Sequence, residues 1–478
     1  METQQKNIAF LKSALTTENP MMPSVQFLAW MKEMNERVHV KINQVPFSKM
    51  RLWHFDSLNG NLVHDSGKFF SIEGIRVKTN WGKVAEWEQP IINQPEVGFL
   101  GIITKKFNGI LYFLMQAKIE PGNLNVVQLS PTLQATRSNY SQVHKGKKPL
   151  YLEYFNGDKP VKILLDQLQS EQGARFLKKR NRNVIVEIDE NENIEVYENF
   201  CWLTLGQIKY FLQFDNVVNM DTRTVISGIP FGEYPPDVLD FYETLKFSDQ
   251  SKNRETGLLI SMLDDRRHLH NVDEIISWIT RQKSFYDLDV EKIPLNTVKS
   301  WIIEKDEIYH ENHKYFSVIG VNVEIGNREV QSWDQPLIKA AQEGIIAFIV
   351  KKINGIYHFL VQAKLEAGNF DIIELAPTVQ CLTGNYRQGQ SEYDVMFLDE
   401  VLNARPDQIW YSTYQSEEGG RFFKEQNKNM IIKADDSFPV EVPENYTWMT
   451  LNQMKVFIKY NNYLNIAARS LIAAVKFV

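Results

Sequence analysis

Residues 105–123 read KKFNGILYFLMQAKIEPGN, and residues 351–369 read KKINGIYHFLVQAKLEAGN. In each stretch an Asn-Gly pair separates two apolar runs, which predicts a β-hairpin with a tight turn. The two stretches stand 246 residues apart, and the same offset carries further matches. LSPTLQATRSNY (129–140) returns as LAPTVQCLTGNY (375–386), and SEQGARF (170–176) as SEEGGRF (416–422). Trp87-x-Gln89-Pro90 returns as Trp333-x-Gln335-Pro336, and Trp202-x-Thr204-Leu205 as Trp448-x-Thr450-Leu451. Further upstream the offset is 248, joining Trp30 to Trp278, Pro46 to Pro294 and Trp53 to Trp301. The chain is therefore a duplication of one unit, roughly 24–226 and 272–474, with a period far too long for a solenoid. The domains expected are 1–226, a first repeat with N-terminal helices, and 272–478, a second repeat. Residues 227–271 read as a linker, with IPFGEYPP, the polar run SDQSKNRETG and a short helix at 236–245.

Composition agrees with two globular units. Of 478 residues, 43% are hydrophobic and 23% charged, which excludes a disordered or coiled-coil chain. The net charge of −6 supplies no broad basic field, so nucleic acid is not expected as a partner. Cys201 and Cys381 are the only cysteines, too few for a disulfide framework. No stretch has the length of a membrane helix and the N-terminus lacks a signal pattern, so a cytoplasmic protein is expected, with no membrane partner.

Within one unit, Ser24 is placed to cap a helix whose Phe27, Met31 and Met34 recur at helical spacing. Strands are expected at 51–55, 69–78, 98–107, 110–120 and 183–188, with an extended run from Leu124 to Thr136. Helices are expected at 165–181 and 204–214. This is an α+β unit with a mostly antiparallel sheet. Alternation puts Phe113, Met115, Ala117 and Ile119 on one face, and Gln116, Lys118 and Glu120 on the other. It likewise directs Val127, Leu129 and Leu133 to the core, and Gln128, Ser130, Thr132 and Gln134 away from it. The second unit repeats the polar wall as Gln362, Lys364, Glu366, Thr378 and Gln380, although about half of the surrounding positions differ. On the helix expected at 165–181, Arg175, Lys178, Lys179 and Arg182 would share a face with Glu171 one turn before. Glu417, Arg421, Lys424 and Lys428 repeat this set.

Several chemistries have no signature here. The chain contains no P-loop, no G-x-G-x-x-G opening a helix, no H-E-x-x-H and no G-x-S-x-G. The units also differ. Arg137-Ser138 becomes Thr383-Gly384, and His144, in NYSQVHKGKKP, has no counterpart in NYRQGQSEYD.

QAKIEPGN, LSPTLQATRSNYSQVH and SEQGARFLKKRNRN, with their second-unit counterparts, resemble the NDP-hexose 2,3-dehydratases over nearly the whole chain. The resemblance implies two tandem Nudix-like α/β/α domains, a homodimer, and two sugar-nucleotide pockets per subunit of which one is active. It implies a dTDP-linked 4-keto-6-deoxyhexose substrate that loses its C2 hydroxyl, without cofactor or metal. The box G-x5-E-x7-R-E-x-x-E-E-x-G of metal-dependent Nudix hydrolases is missing, because Arg254-Glu255 and Arg328-Glu329 continue without the carboxylate pair. A nucleotide-sugar hydrolase and a non-catalytic nucleotide-sugar binder stand as the alternatives. Under the dehydratase reading, Lys118, Glu120, Tyr140 and His144 are the catalytic candidates. Trp87, Gln116, Thr132, Gln134, Arg137, Asn139, Glu171, Arg175 and Arg182 are candidates for substrate binding. A second pocket would hold Trp333, Gln362, Lys364, Glu366, Thr378, Gln380, Asn385, Tyr386, Glu417 and Arg421.

Overall fold

The computed structural model describes residues 2–136, 148–232, 253–325, 332–381 and 395–478. Asn108 and Gly109 both take positive φ, +50° and +76°, as the expected tight turn requires. They join strands Gly98–Phe107 and Ile110–Ile119, with Phe107 opposite Ile110. Around this hairpin lies a seven-stranded sheet, Lys162–Ser170, Arg180–Glu187, Gly98–Phe107, Ile110–Ile119 and Phe200–Thr204 in order. Val127–Ser130 adds beside Ile110–Ile119, and Leu133–Ala135 beside Gly98–Phe107. Arg180–Glu187 runs parallel to Gly98–Phe107, while the other pairings are antiparallel. The second unit builds the same sheet around Gly344–Ile353 and Ile356–Lys364. The fold is thus mixed α/β with antiparallel-dominated sheets, repeated twice.

Leu111, Phe113, Met115 and Ala117 are buried in one core with Phe27, Met31 and Met34 of the helix Ser24–Arg37. Ser24 opens that helix rather than capping it. Pro23 holds the cap position, and the Ser24 hydroxyl instead accepts a hydrogen bond from Gln207 Nε2 at 3.3 Å. The helix Leu205–Phe211 starts with a full capping box between Thr204 and Gln207. Leu133 does not join Val127 and Leu129. Pro131-Thr132 carries the chain onto a different strand, so Leu133 enters the opposite layer with Tyr112 and Leu114.

The helix expected at 165–181 is absent. The chain there forms strand Lys162–Ser170, a turn, and strand Arg180–Glu187. Cross-strand pairing with Arg180–Glu187 overrides the helical propensity of the Leu/Gln/Lys-rich stretch. Arg175, Lys178, Lys179 and Arg182 therefore do not share a helical face, and Lys178 sits in the turn with φ +48°.

The two units exchange strands. Val40–Val45 of the first pairs antiparallel with Phe316–Ile325 of the second, and Leu288–Ile293 of the second with Ser71–Thr79 of the first. Each completes a small five-stranded sheet of the other unit. Between these sheets Phe176 and Phe422 are almost fully buried and meet edge-on with centroids 5.8 Å apart. Residues 254–263, expected within the linker, form the helix Arg254–Leu263. It repeats the packing of the N-terminal helix Glu2–Leu15: Ser13 Oγ donates to Leu111 O and Ser261 Oγ to Tyr357 O, both at 2.6 Å. The expected helix at 236–245 lies outside the described residues. Among the described residues no helix is long and apolar enough to cross a membrane.

Candidate functional site

The strand Ile110–Ile119 ends in Glu120-Pro121-Gly122-Asn123, and this turn packs against the second unit's SEEGGRF turn. Gly122 N–H donates to Gly419 O at 2.7 Å, and Lys424 N–H to Gly122 O at 2.8 Å. Reciprocally, Gly368 N–H donates to Gly173 O and Lys178 N–H to Gly368 O, both at 2.7 Å. The approach leaves no room for side chains. A Cβ on Gly122 would lie 1.6 Å from Phe422 O, and one on Gly368 1.8 Å from Phe176 O. Each unit's polar wall is consequently closed by a turn of the other unit, giving two composite clusters.

In the first cluster Lys118 Nζ lies 3.5 Å from Glu120 Oε1, and Gln134 Nε2 donates to the same oxygen at 2.6 Å. Glu120 Oε2 thus keeps no hydrogen bond among the described residues. Glu171 accepts from Asn181 Nδ2 at 2.7 Å, and Lys179 Nζ donates to Glu96 O. Asp221, in the first turn of the helix Met220–Ser227, is 3% exposed with no hydrogen bond among the described residues. The second unit contributes Glu418 and Arg421. Arg421 stacks over the Phe70 ring and donates from Nε to Gln94 Oε1 at 3.1 Å. Burial pushes the carboxyl groups of Asp221, Glu418 and Glu171 up. Asp221 rises well above the usual range, with Glu418 and Glu120 adding to the effect of burial. Glu418 is raised by burial and by Glu120 against the opposing charge of Arg421, and burial lifts Glu171 to about 7.

The second cluster pairs Lys364, Glu366, Gln380, Glu417 and Asn427 with Arg175 from the first unit. Gln380 Nε2 donates to Glu366 Oε1 at 2.8 Å, and Asn427 Nδ2 to Glu417 Oε1 at 2.6 Å. Arg175 lies over Phe316 and is 5% exposed, with Nε and Nη2 unbonded among the described residues. Its nearest charges are Glu425, Glu366 and Glu417. Both Glu425 carboxylate oxygens are buried without a hydrogen bond among the described residues, and burial lifts this group to about 8. Arg175, expected with the first pocket, and Arg421, expected with the second, have thus changed places because their turns cross between units.

Other expected residues have separate work. The Thr132 hydroxyl accepts from Ile103 N–H at 2.9 Å and donates to Leu114 O at 2.5 Å, and Thr378 makes the equivalent bonds to Ile349 and Leu360. Trp87 donates to Gln89, which donates on to Ala174 O; Trp333 does the same through Gln335 to Gly420 O. These tryptophans therefore hold the crossing turns in place. Arg182 is engaged by Asp166 through Nε at 2.7 Å and Nη2 at 2.5 Å, away from Lys118 and Glu120. Gln362 donates to Pro377 O at 2.8 Å, while Gln116 is half-buried on the wall. Arg137, Asn139, Tyr140, His144, Asn385 and Tyr386 lie outside the described residues.

Three residues of the first cluster escaped the sequence reading: Asp221, Lys179 as a cluster member, and Glu418. At the 246-residue offset their counterparts are Ala467, Glu425 and Gln172. The signal was available in positions where the two units differ in charge, not in those where they agree.

The sequence profile of the NDP-hexose 2,3-dehydratases matches residues 24–229 and again 272–475. The chain belongs to this family. Its relatives include the dTDP-4-dehydro-6-deoxy-alpha-D-glucopyranose 2,3-dehydratase of Saccharopolyspora spinosa, 44% identical over 97% of this chain and 94% of that protein. The identically named proteins of Amycolatopsis orientalis and Streptomyces violaceoruber are each 41% identical, over 97% and 94% of this chain and 92% and 96% of theirs. For a sugar 2,3-dehydratase the two clusters are unequal. The first carries the more accessible charge, with Lys118, Glu418 and Arg421 half-buried, whereas Arg175 and Gln172 at the second are buried. Among the described residues, no group of three His, Cys, Asp or Glu side chains is arranged to hold a metal ion.

Proposed function

We propose that this chain removes water across C2 and C3 of dTDP-4-keto-6-deoxyglucose, giving the 3,4-diketo-2,6-dideoxy sugar, and that the first cluster does this work. The reading rests on the printed activity of relatives that match nearly the whole chain. The observation that carries it to a site is the Lys118–Glu120 pair, 3.5 Å apart on a wall closed by the other unit.

The C4 ketone acidifies the proton on C3. A base removes that proton, and negative charge develops on the C4 oxygen. A fixed cation or hydrogen-bond donor aimed at this oxygen lowers the barrier, and Lys118 is the donor assigned here. Glu120, whose Oε2 has no hydrogen bond among the described residues, is the base assigned here, with Tyr140 and His144 as the other candidates. The C2 hydroxyl then leaves, and the resulting enol becomes the C3 ketone as C2 gains a proton. This sequence needs no redox cofactor. Arg421 replaces Arg175 as the arginine assigned to the diphosphate at the first site, since a guanidinium fork suits phosphate oxygens.

Incubation with dTDP-4-keto-6-deoxyglucose in heavy water tests the activity. The expected product is lighter by one water and carries deuterium at C2. A folded, dTDP-binding sample that leaves the sugar unchanged overturns the reading. We also assign each unit a Nudix-like scaffold, supported by its mixed sheet with helices against one face, and a homodimeric chain. Sedimentation at the 55.7 kDa of a single chain would overturn the dimer.

A further inference from the structure

The first cluster has a glycine where its counterpart has a methyl group. Gly420 follows Glu418 in the crossing turn and stands where the other turn has Ala174. A Cβ on Gly420 would lie 3.1 Å from Glu418 Oε1 and 3.9 Å from Glu120 Oε1. Both carboxyl groups therefore lie next to the position of the missing methyl, with these oxygens no more than about 7 Å apart. Paired carboxyl groups acting on opposite sides of a sugar ring stand on the order of 5–9 Å apart. Glu418 is half-buried and its carboxyl group makes no hydrogen bond or ion pair among the described residues, although Arg421 and Lys118 are close enough to influence it. Asp221, its buried carboxyl group also without a hydrogen bond among the described residues, is close enough to feel the charge of both. The second cluster lacks this arrangement, with Gln172, Ala174 and Ala467 in the three equivalent places.

We propose that Glu418, supplied by the second unit, is a catalytic residue of the first unit's site and gives its proton to the departing C2 hydroxyl, beside the bare backbone of Gly420. The proposal rests on the dehydratase reading above. The base takes the C3 proton first, and the C3–H electron pair is held in the enolate of the C4 ketone; when that enolate collapses, the pair becomes the C2–C3 double bond. The C2–O bond breaks toward oxygen, Glu418 transfers its proton to that oxygen, and water leaves. The enol then loses its O–H proton, which restores Glu418, while the base, its proton exchanged with solvent, gives that proton to C2 and is itself restored. The ledger closes with no oxidant and no co-reactant. Burial beside Glu120 favours the protonated form this step requires. On this account the second unit completes the active site, and the amide at Gln172 leaves the second cluster without an equivalent acid.

The test separates enolisation from elimination. Full-length Glu418→Gln is incubated with dTDP-4-keto-6-deoxyglucose in heavy water beside the wild-type chain and an enzyme-free control. Water loss is expected to fall at least about a hundredfold, while the recovered sugar still gains deuterium at C3 faster than in the control and dTDP affinity stays within about twofold. Near wild-type water loss overturns the proposal. Loss of exchange together with elimination, at unchanged dTDP affinity, overturns the acid role and makes Glu418 the base. If Glu418→Gln does not fold, Glu418→Asp carries the same test, because it keeps the carboxyl but withdraws it by one methylene. It should eliminate more slowly at an unchanged exchange rate, and equal slowing of both overturns the proposal. A wild-type chain that binds dTDP yet makes no product fails the dehydratase reading itself, which distinguishes the two failures.

Discussion

Gly122 N–H donates to Gly419 O at 2.7 Å, and this bond fastens the turn carrying Glu120 to the turn carrying Glu418. The two carboxyl groups sit on different units, but a backbone bond one or two residues from each fixes their separation. Side-chain geometry in a site is no better than the elements that hold it, and here the holding element is main chain. The symmetric bond, Gly368 to Gly173, does the same for Glu366 and Gln172.

Because those contacts are backbone to backbone, a single methyl should disrupt them. Gly122→Ala and Gly368→Ala would place a Cβ 1.6 Å and 1.8 Å from the facing carbonyl oxygens. Neither glycine has positive φ, so the cost is steric. Each is expected to lower stability by about 3 kcal/mol or more, at the upper end of overpacking. Urea unfolding checks this, and a midpoint unchanged from wild type in either variant would contradict the geometry.

Lys118→Ala should reduce turnover by roughly 100- to 10,000-fold, the usual range for a group acting at a reacting centre. Lys364→Ala should leave most of the activity, since Lys364 stands over the Trp81 ring in a cluster lacking counterparts of Asp221 and Glu418. Steady-state kinetics on both variants decides the matter, and equal losses would reject the assignment of work to the first cluster.

The hairpins were legible because an Asn-Gly turn is fixed by the two residues themselves. Lys118 and Glu120 were legible because a two-residue period and a repeated motif coincide there. Strand 162–170 was not, since its partner lies ten or more residues on and its local propensity is helical. Val40–Val45 was not expected as a strand, because its partner is residue 320 onward in the other unit, and the crossing of Arg175 and Arg421 likewise depends on contacts between units. Glu418 and Asp221 reach the cluster from other elements, so no single stretch places them beside Lys118.

Glu425 gives a pH prediction. Its carboxyl is buried without hydrogen bonds, and burial raises it to about 8 in the folded chain, from an ordinary value near 4.5. A group raised on folding contributes fully below the unfolded value and loses that contribution as pH climbs to the folded one. Stability from this residue should therefore fall between about pH 4.5 and pH 8, at no more than about 1.4 kcal/mol per pH unit. Glu425→Gln does not titrate, so its stability relative to wild type should improve steadily across that window. Urea midpoints at pH 5, 6.5 and 8 measure the slope, and a difference that does not grow with pH would refute the assignment.

The strand exchange bears on whether either unit can fold alone. Residues 1–232 expressed by themselves would leave Val40–Val45 without its sheet and Ser71–Thr79 with an open edge, a template for aggregation. They would also strand buried charge. Arg223, 1% exposed, donates to Gln415 Oε1 at 2.8 Å and to Ser416 O, and Arg469, fully buried, donates to Ser170 O. Removing the partner of a buried charge costs about 3–5 kcal/mol, against a total stability of about 5–15 kcal/mol for a domain. Together with the open sheet edges, that loss is enough to unfold a half-chain. Residues 1–232 or 233–478 alone are therefore expected in the insoluble fraction, and their co-expression should return a soluble complex that elutes with the intact chain. A soluble, cooperatively unfolding 1–232 fragment would show that the exchanged strands are dispensable.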